Sequence, residues 1–221
     1  GWSVSLSADG STVAIGAFFN DGNGTDSGHV RVYKNIADVW TQMGADIDGE
    51  AAGNRSGWSV SLSADGSTVA IGAYLNDGNG TDSGHVRVYK NIADVWTQIG
   101  DDIDGEAVGD ESGYSVSLST NGSVIAIGAY RNDGSASNSG HVRVYQNVVG
   151  VWTQIGSDIN GEAANDNSGW SVSLSADGST VAIGTPNNDG NGVTSGHVRV
   201  YKNVTNVWTQ IGSDINGESV G

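Results

Sequence analysis

The sequence has no cysteine and a single proline among its 221 residues. Without cysteine there can be neither a disulfide framework nor a thiolate metal site, although this does not fix the redox compartment. With one proline, the turns fall to glycine, asparagine and aspartate, and the 35 glycines are about twice the usual share of about 7%. Basic residues are scarce. Nine lysines and arginines stand against 25 aspartates and glutamates, for a net charge of −16. Nucleic acid and anionic membrane surfaces both recruit basic patches, so neither is an expected partner. No apolar run approaches the roughly 20 residues of a membrane helix, and no stretch of the sequence reads as a signal peptide. The chain starts at Gly1 and reads as an excerpt of a longer protein.

Repetition dominates what remains. The stretch Gly57 to Ala73 (GWSVSLSADGSTVAIGA) recurs with small changes from Gly1, Gly113 and Gly169, a step of 56 residues. This divides the chain into units 1–56, 57–112, 113–168 and 169–221. No unit is large enough to bury a core alone, so stacking must supply it. Within the first unit, Trp2, Val4 and Leu6 alternate with serines, the two-residue period of a strand with an apolar face and a small polar one. Ala8-Asp9-Gly10-Ser11 turns the chain into a second strand, Thr12 to Ala17. A polar loop with Asp21, Asn23 and Asp26 leads to a third strand from His29 to Tyr33. A fourth, Val39 to Met43, is followed by a linker through Asp46, Asp48 and Glu50. Four short strands with tight connections describe an up-and-down antiparallel blade, and four such blades predict an all-β β-propeller.

The blade motifs resemble the FG-GAP repeat of integrin-α-type propellers. Gly113-Tyr114-Ser115-Val116 and Gly57-Trp58-Ser59-Val60 are similar to the family's first strand. Gly128-Ala129-Tyr130 and Gly184-Thr185-Pro186 are similar to the end of its second, and Gly84-His85-Val86-Arg87-Val88-Tyr89 to its third. Ser56, Ser112 and Ser168 stand where the family has phenylalanine. Many members carry an Asp-x-Asp-x-Asp-Gly calcium loop between the first two strands. The turn here, Ser63 to Ser67, is too short and has one carboxylate, so that site does not carry over.

Alternating loops place Asp21, Asp26, Asp46, Asp48 and Glu50 on one face of the disc and only Asp9 and Asp38 on the other. The cation candidates are therefore the linkers: Asp46, Asp48 and Glu50; Asp102, Asp104 and Glu106; Asp158, Asn160 and Glu162; Asp214, Asn216 and Glu218. Oxygen donors at alternate positions beside a glycine suit Ca2+, while a solvated Asp/Asn-Gly turn explains the same residues without a metal. His29, His85, His141 and His197 recur at one strand position. They serve either as a metal-binding ring or as repeated structural hydrogen-bond partners. Trp40, Trp96, Trp152 and Trp208 either pack between blades or offer platforms for sugars.

No nucleophile and base stand apart in one copy, so an enzyme is not expected. The resemblance and the uniform acidic repeat lead to the expectation of an extracellular or cell-surface module for adhesion or structural assembly. Its partners would be a surface protein or glycan, or further copies of itself, with calcium support. A lectin-like propeller is the alternative.

Overall fold

A computed structural model describes residues 1–218. Every element among the described residues is a strand, and the first unit contains five: β1 (Ser3–Leu6), β2 (Thr12–Ala17), β3 (His29–Ile36), β4 (Val39–Gln42) and β5 (Ile47–Asp48). The order is β1-β2-β3-β4, antiparallel throughout, with β5 on the same edge of β3 as β4. The pattern repeats as β6 (Ser59–Leu62) to β10 (Ile103–Asp104), β11 (Ser115–Leu118) to β15 (Ile159–Asn160), and β16 (Ser171–Leu174) to β20 (Ile215–Asn216). These are four blades of a β-propeller.

The linker expected after the fourth strand is thus partly sheet. Gln42 pairs with Tyr33, and the pairing resumes with Ile47 opposite Val30. Met43 still donates its N–H to Val32 O at 2.8 Å, so Gly44, Ala45 and Asp46 bulge outward opposite Arg31. Gly44 supplies the positive φ of 69° that such a bulge needs. The bulge re-aims Asp46 toward the start of β3.

No blade has a core of its own. Ala14, Val30, Val32 and Ile47 of the first blade pack with Leu62, Val69 and Ile71 of the second, and equivalent clusters fill the next two seams. Burial along the second strands records this stacking. The second blade's second strand, Thr68–Ala73 (β7), and the third blade's, Val124–Ala129 (β12), are buried at every position. β2 buries Thr12, Ala14 and Gly16, whereas Thr180–Thr185 (β17) buries the opposite phase, Val181, Ile183 and Thr185. The end blades therefore cover opposite faces, and the four form an open arc in which Val4 and Leu6 are 69% and 60% exposed.

In the first three blades the small polar serine face of the first strand forms an interblade seam. Ser5 Oγ accepts from Leu62 N at 2.9 Å, Ser61 Oγ from Leu118 N at 3.0 Å and Ser117 Oγ from Leu174 N at 3.0 Å. Ser3, Ser59 and Ser115 donate to the carbonyls of Gly57, Gly113 and Gly169 at 2.7–2.8 Å. Only glycine fits at Gly16, Gly72 and Gly128, because a Cβ there would overlap those same carbonyls.

Candidate metal centre at the blade seams

The histidine opens the third strand of each blade and lies opposite the last residue of the fifth: His29 faces Asp48, His85 Asp104, His141 Asn160 and His197 Asn216. In the second, third and fourth blades its ring faces two other carboxylates. One is the bulge aspartate of the same blade. The other is the linker glutamate of the preceding blade. His85 Nδ1 lies 3.4 Å from Asp102 Oδ2 and 3.9 Å from Glu50 Oε2. His141 Nδ1 lies 3.8 Å from Glu106 Oε2 and 3.9 Å from Asp158 Oδ2. In the last blade, His197 Nδ1 is 3.7 Å from Asp214 Oδ2, with Glu162 in the same group.

In each group the far oxygens are already held. Gln98, Gln154 and Gln210 donate to Oδ1 of Asp102, Asp158 and Asp214 at 2.6–2.7 Å. Arg87, Arg143 and Arg199, two residues beyond each histidine, place Nη1 3.2–3.6 Å from Oε1 of Glu50, Glu106 and Glu162. Their Nη2 atoms donate across the seam to the carbonyls of Asp48, Asp104 and Asn160 at 2.7–2.9 Å. The near oxygens and the imidazole nitrogen are left facing one another, with all donor atoms of a group within 4.8 Å. These repeated His/Asp/Glu groups could hold a metal ion.

The charges follow from this packing. Burial, reinforced by Arg143, pushes His141 down to about 4, so its ring is neutral at pH 7. Burial also lowers His29 and His197. The contact with His85 holds Asp102 below its ordinary value, while burial raises Asp104 and Glu106.

The first blade has no preceding glutamate in the arc, and its group is different. His29 meets Asp46 Oδ2 at 3.5 Å and Asp48 Oδ1 at 4.0 Å. Arg31, with a side chain 45% exposed against 8% for Arg87, turns onto Asp46 instead. It grips that carboxylate through Nε and Nη2 at 2.8–3.0 Å.

From the second blade on, the linker carboxylates therefore do not gather as contiguous sets, and in the first only Asp46 and Asp48 come together. Asp102, Asp158 and Asp214 turn back to their own histidines, and Glu50, Glu106 and Glu162 reach forward to the next one. Asp104, Asn160 and Asn216 stay in the ladder beside the histidines, and Glu218 is the last described residue and joins no group. The Asp21 loop is spent internally. Asp21 Oδ1 accepts from Asp26 N at 2.9 Å, and Asn23 Nδ2 donates to Gly49 O and Glu50 O. The first turn does not fit calcium either, because Asp9 accepts from Ser7 Oγ and from Ser11 N and Oγ. These bonds bring its carboxyl down to about 2.

The tryptophans close the outer end of each seam. Trp96, Trp152 and Trp208 donate Nε1–H to the carbonyls of Met43, Ile99 and Ile155 at 2.7 Å, while Trp40 is 46% exposed. Beside each bonded indole is a groove. The largest, of about 450 Å³, is lined by Trp152, Tyr145, Asp101, Asp102 and Asp104. Smaller ones adjoin Trp96 and Trp208.

The FG-GAP repeat model matches residues 1–33, 46–89, 103–145 and 160–201. No curated protein sequence matches the chain. Among solved structures, it is similar to a "putative 6-phosphogluconolactonase" from Bacteroides uniformis (14% identity, TM-score 0.66) and another from Bacteroides fragilis (13%, 0.64). In both cases 97% of this chain aligns with 54% of the other, so the chain spans about half their length. This likeness is one of fold alone. It nevertheless corrects the expectation that the chain is not an enzyme, because proteins described as lactonases share the architecture and uniform blades are no argument against catalysis. No helix among the described residues is long and apolar enough to cross a membrane.

Proposed function

From the premise that the chain belongs to the FG-GAP repeat family, we propose that it is a cation-supported binding module acting in adhesion or structural assembly at the outer surface of a cell. The observation that carries this reading is the recurrence of one His/Asp/Glu/Arg constellation at successive seams. Near-identical blades at a fixed step present similar surfaces repeatedly, which favours avidity for a repetitive partner. That partner is a surface protein, a glycan or further copies of the chain. The net charge of −16 disfavours nucleic acid and anionic lipid.

Light scattering of the chain, with Ca2+ or another divalent cation and then with a chelator, tests the assembly reading alongside retention of chain-coated beads on cells. Cation-dependent association or retention is the expected result. A monomer in both conditions, with beads that do not adhere, overturns it.

The three grooves favour a second reading, saccharide binding. An aromatic wall with neighbouring carboxylates is a common way to stack a sugar ring and bind its hydroxyls. Asp101 is exposed at the largest groove. A glycan-array signal that falls in Asp101→Ala supports this reading, and an empty array removes it.

A further inference from the structure

We propose that the groups Glu50/His85/Asp102, Glu106/His141/Asp158 and Glu162/His197/Asp214 each bind a zinc-like divalent transition-metal ion that clasps adjacent blades. The proposal deepens the cation-supported reading above by assigning the site, the class of ion and its place in the seam.

The donors' arrangement is the first argument. Ligands at about 2.0–2.2 Å from a tetrahedral ion lie about 3.3–3.6 Å from one another. The Nδ1-to-carboxylate distances within 4.0 Å run from 3.4 to 3.9 Å, so closure in the groups of His85 and His141 needs shifts of a few tenths of an ångström, and Glu162, within 4.8 Å of the other donors of its group, has to move farther. Those distances exceed a good N–H···O hydrogen bond of 2.7–3.2 Å.

The second argument is independent of the carboxylates. His141 and His197 are 1% and 5% exposed, and their Nδ1 atoms have no hydrogen-bond partner. Buried ring nitrogens are seldom left unpaired. Here each faces into its group.

The outer contacts give a third. Metal-bound carboxylates characteristically have their other oxygen fixed by a neighbour. Gln154 does this for Asp158 and Arg143 for Glu106, leaving one oxygen of each for the ion. One imidazole and two carboxylates suit zinc, cobalt or nickel better than Ca2+, which takes six to eight oxygens. The glutamate comes from one blade and the other two ligands from the next, so occupancy ties the blades together. The first blade lacks this set, and Arg31 occupies its aspartate.

The test is a titration of the chelator-stripped chain with Co2+ followed by its visible absorption, and with Zn2+ by calorimetry. Three Zn2+ per chain are expected, displacing Co2+, insensitive to excess Ca2+, and raising Tm by several degrees. His141→Gln should reduce the stoichiometry from three to two. Glu106→Gln, on a half-exposed side chain, should do the same where His141→Gln compromises folding, as judged by circular dichroism. Absence of a Co2+ spectrum, preference for Ca2+, or a stoichiometry unchanged in both folded variants overturns the assignment. Each readout is made on the isolated chain, so failure here leaves the adhesion and self-assembly assays to be judged separately.

Discussion

Gly72→Ala should pry apart the second and third blades, whereas Gly184→Ala, at the same position of the fourth blade, should be nearly silent. At Gly72 an added Cβ would overlap the Gly113 carbonyl, well inside the 3.0 Å that real Cβ atoms keep, and Ser59 Oγ closes the other side. The obstacle is backbone of the next blade, so relief requires the seam to open by roughly an ångström at a point where Ser59 also bonds to that carbonyl. Overpacking of this kind costs about 3 kcal/mol, which for a chain of this size lowers Tm by about 6–12 °C. At Gly184 the neighbour is the chain's own Ser171 side chain, which can rotate. Alanine also recovers about 0.5–1 kcal/mol of strand entropy there, leaving a net change near zero. The assay is reversible urea unfolding followed by tryptophan fluorescence, run on both variants in parallel. In a stacked repeat, breaking one seam should also split a single transition into two. Equal destabilisation of the two variants, or a silent Gly72→Ala, would refute the claim that the close approach lies between blades.

Ser61→Ala strips the acceptor from Leu118 N and should cost about 1–2 kcal/mol in the same unfolding assay, whereas Ser173→Ala, on an exposed position, should stay within about 0.5 kcal/mol. Trp152→Phe leaves the Ile99 carbonyl without its indole donor and should cost about 1 kcal/mol or more, measured as a shift in the urea midpoint. The carboxyl carbons of Asp9 and Asp177 should titrate in NMR with midpoints at about 2. Their folded values lie below the ordinary 3.8, so their stabilisation is complete above about pH 4 and is lost as the pH falls through about 2. Asp9→Asn should remove that signal without shifting the one from Asp177.

Strand existence was legible because the two-residue alternation of Trp2, Val4 and Leu6 and the β-branched run at Thr12 are local signals, repeated four times. β5 escaped because two residues carry no period, and the bulge that offsets them is set by Gly44 and by pairing already established on β3. The role of the serines was hidden for a different reason. Alternation with apolar residues marks a face as polar but not as wet, and only the approach of the next blade reveals that Ser5 and Ser61 serve backbone N–H groups there. The metal-capable group was hidden by the repeat itself. Asp46, Asp48 and Glu50 are neighbours in sequence, yet Glu50 belongs with His85 and Asp102, and in a chain of near-identical units nothing local says which copy's glutamate meets which copy's histidine. The unpaired burial of His141 would have been the clue, and burial is a property of the stack.

The opposite burial phases of β2 and β17 have a consequence for how such a chain can change length. Each blade meets its successor through the same serine bonds, the same glycine contact and the same indole clasp, so an inserted or deleted block of 56 residues recreates a seam that already exists. A recombination event at any matching pair of codons would join familiar surfaces, with no interval in which a new fit has to be found. The number of blades is then free to drift while the joint between them stays constrained, and selection can act on reach and valency without reopening the problem of folding.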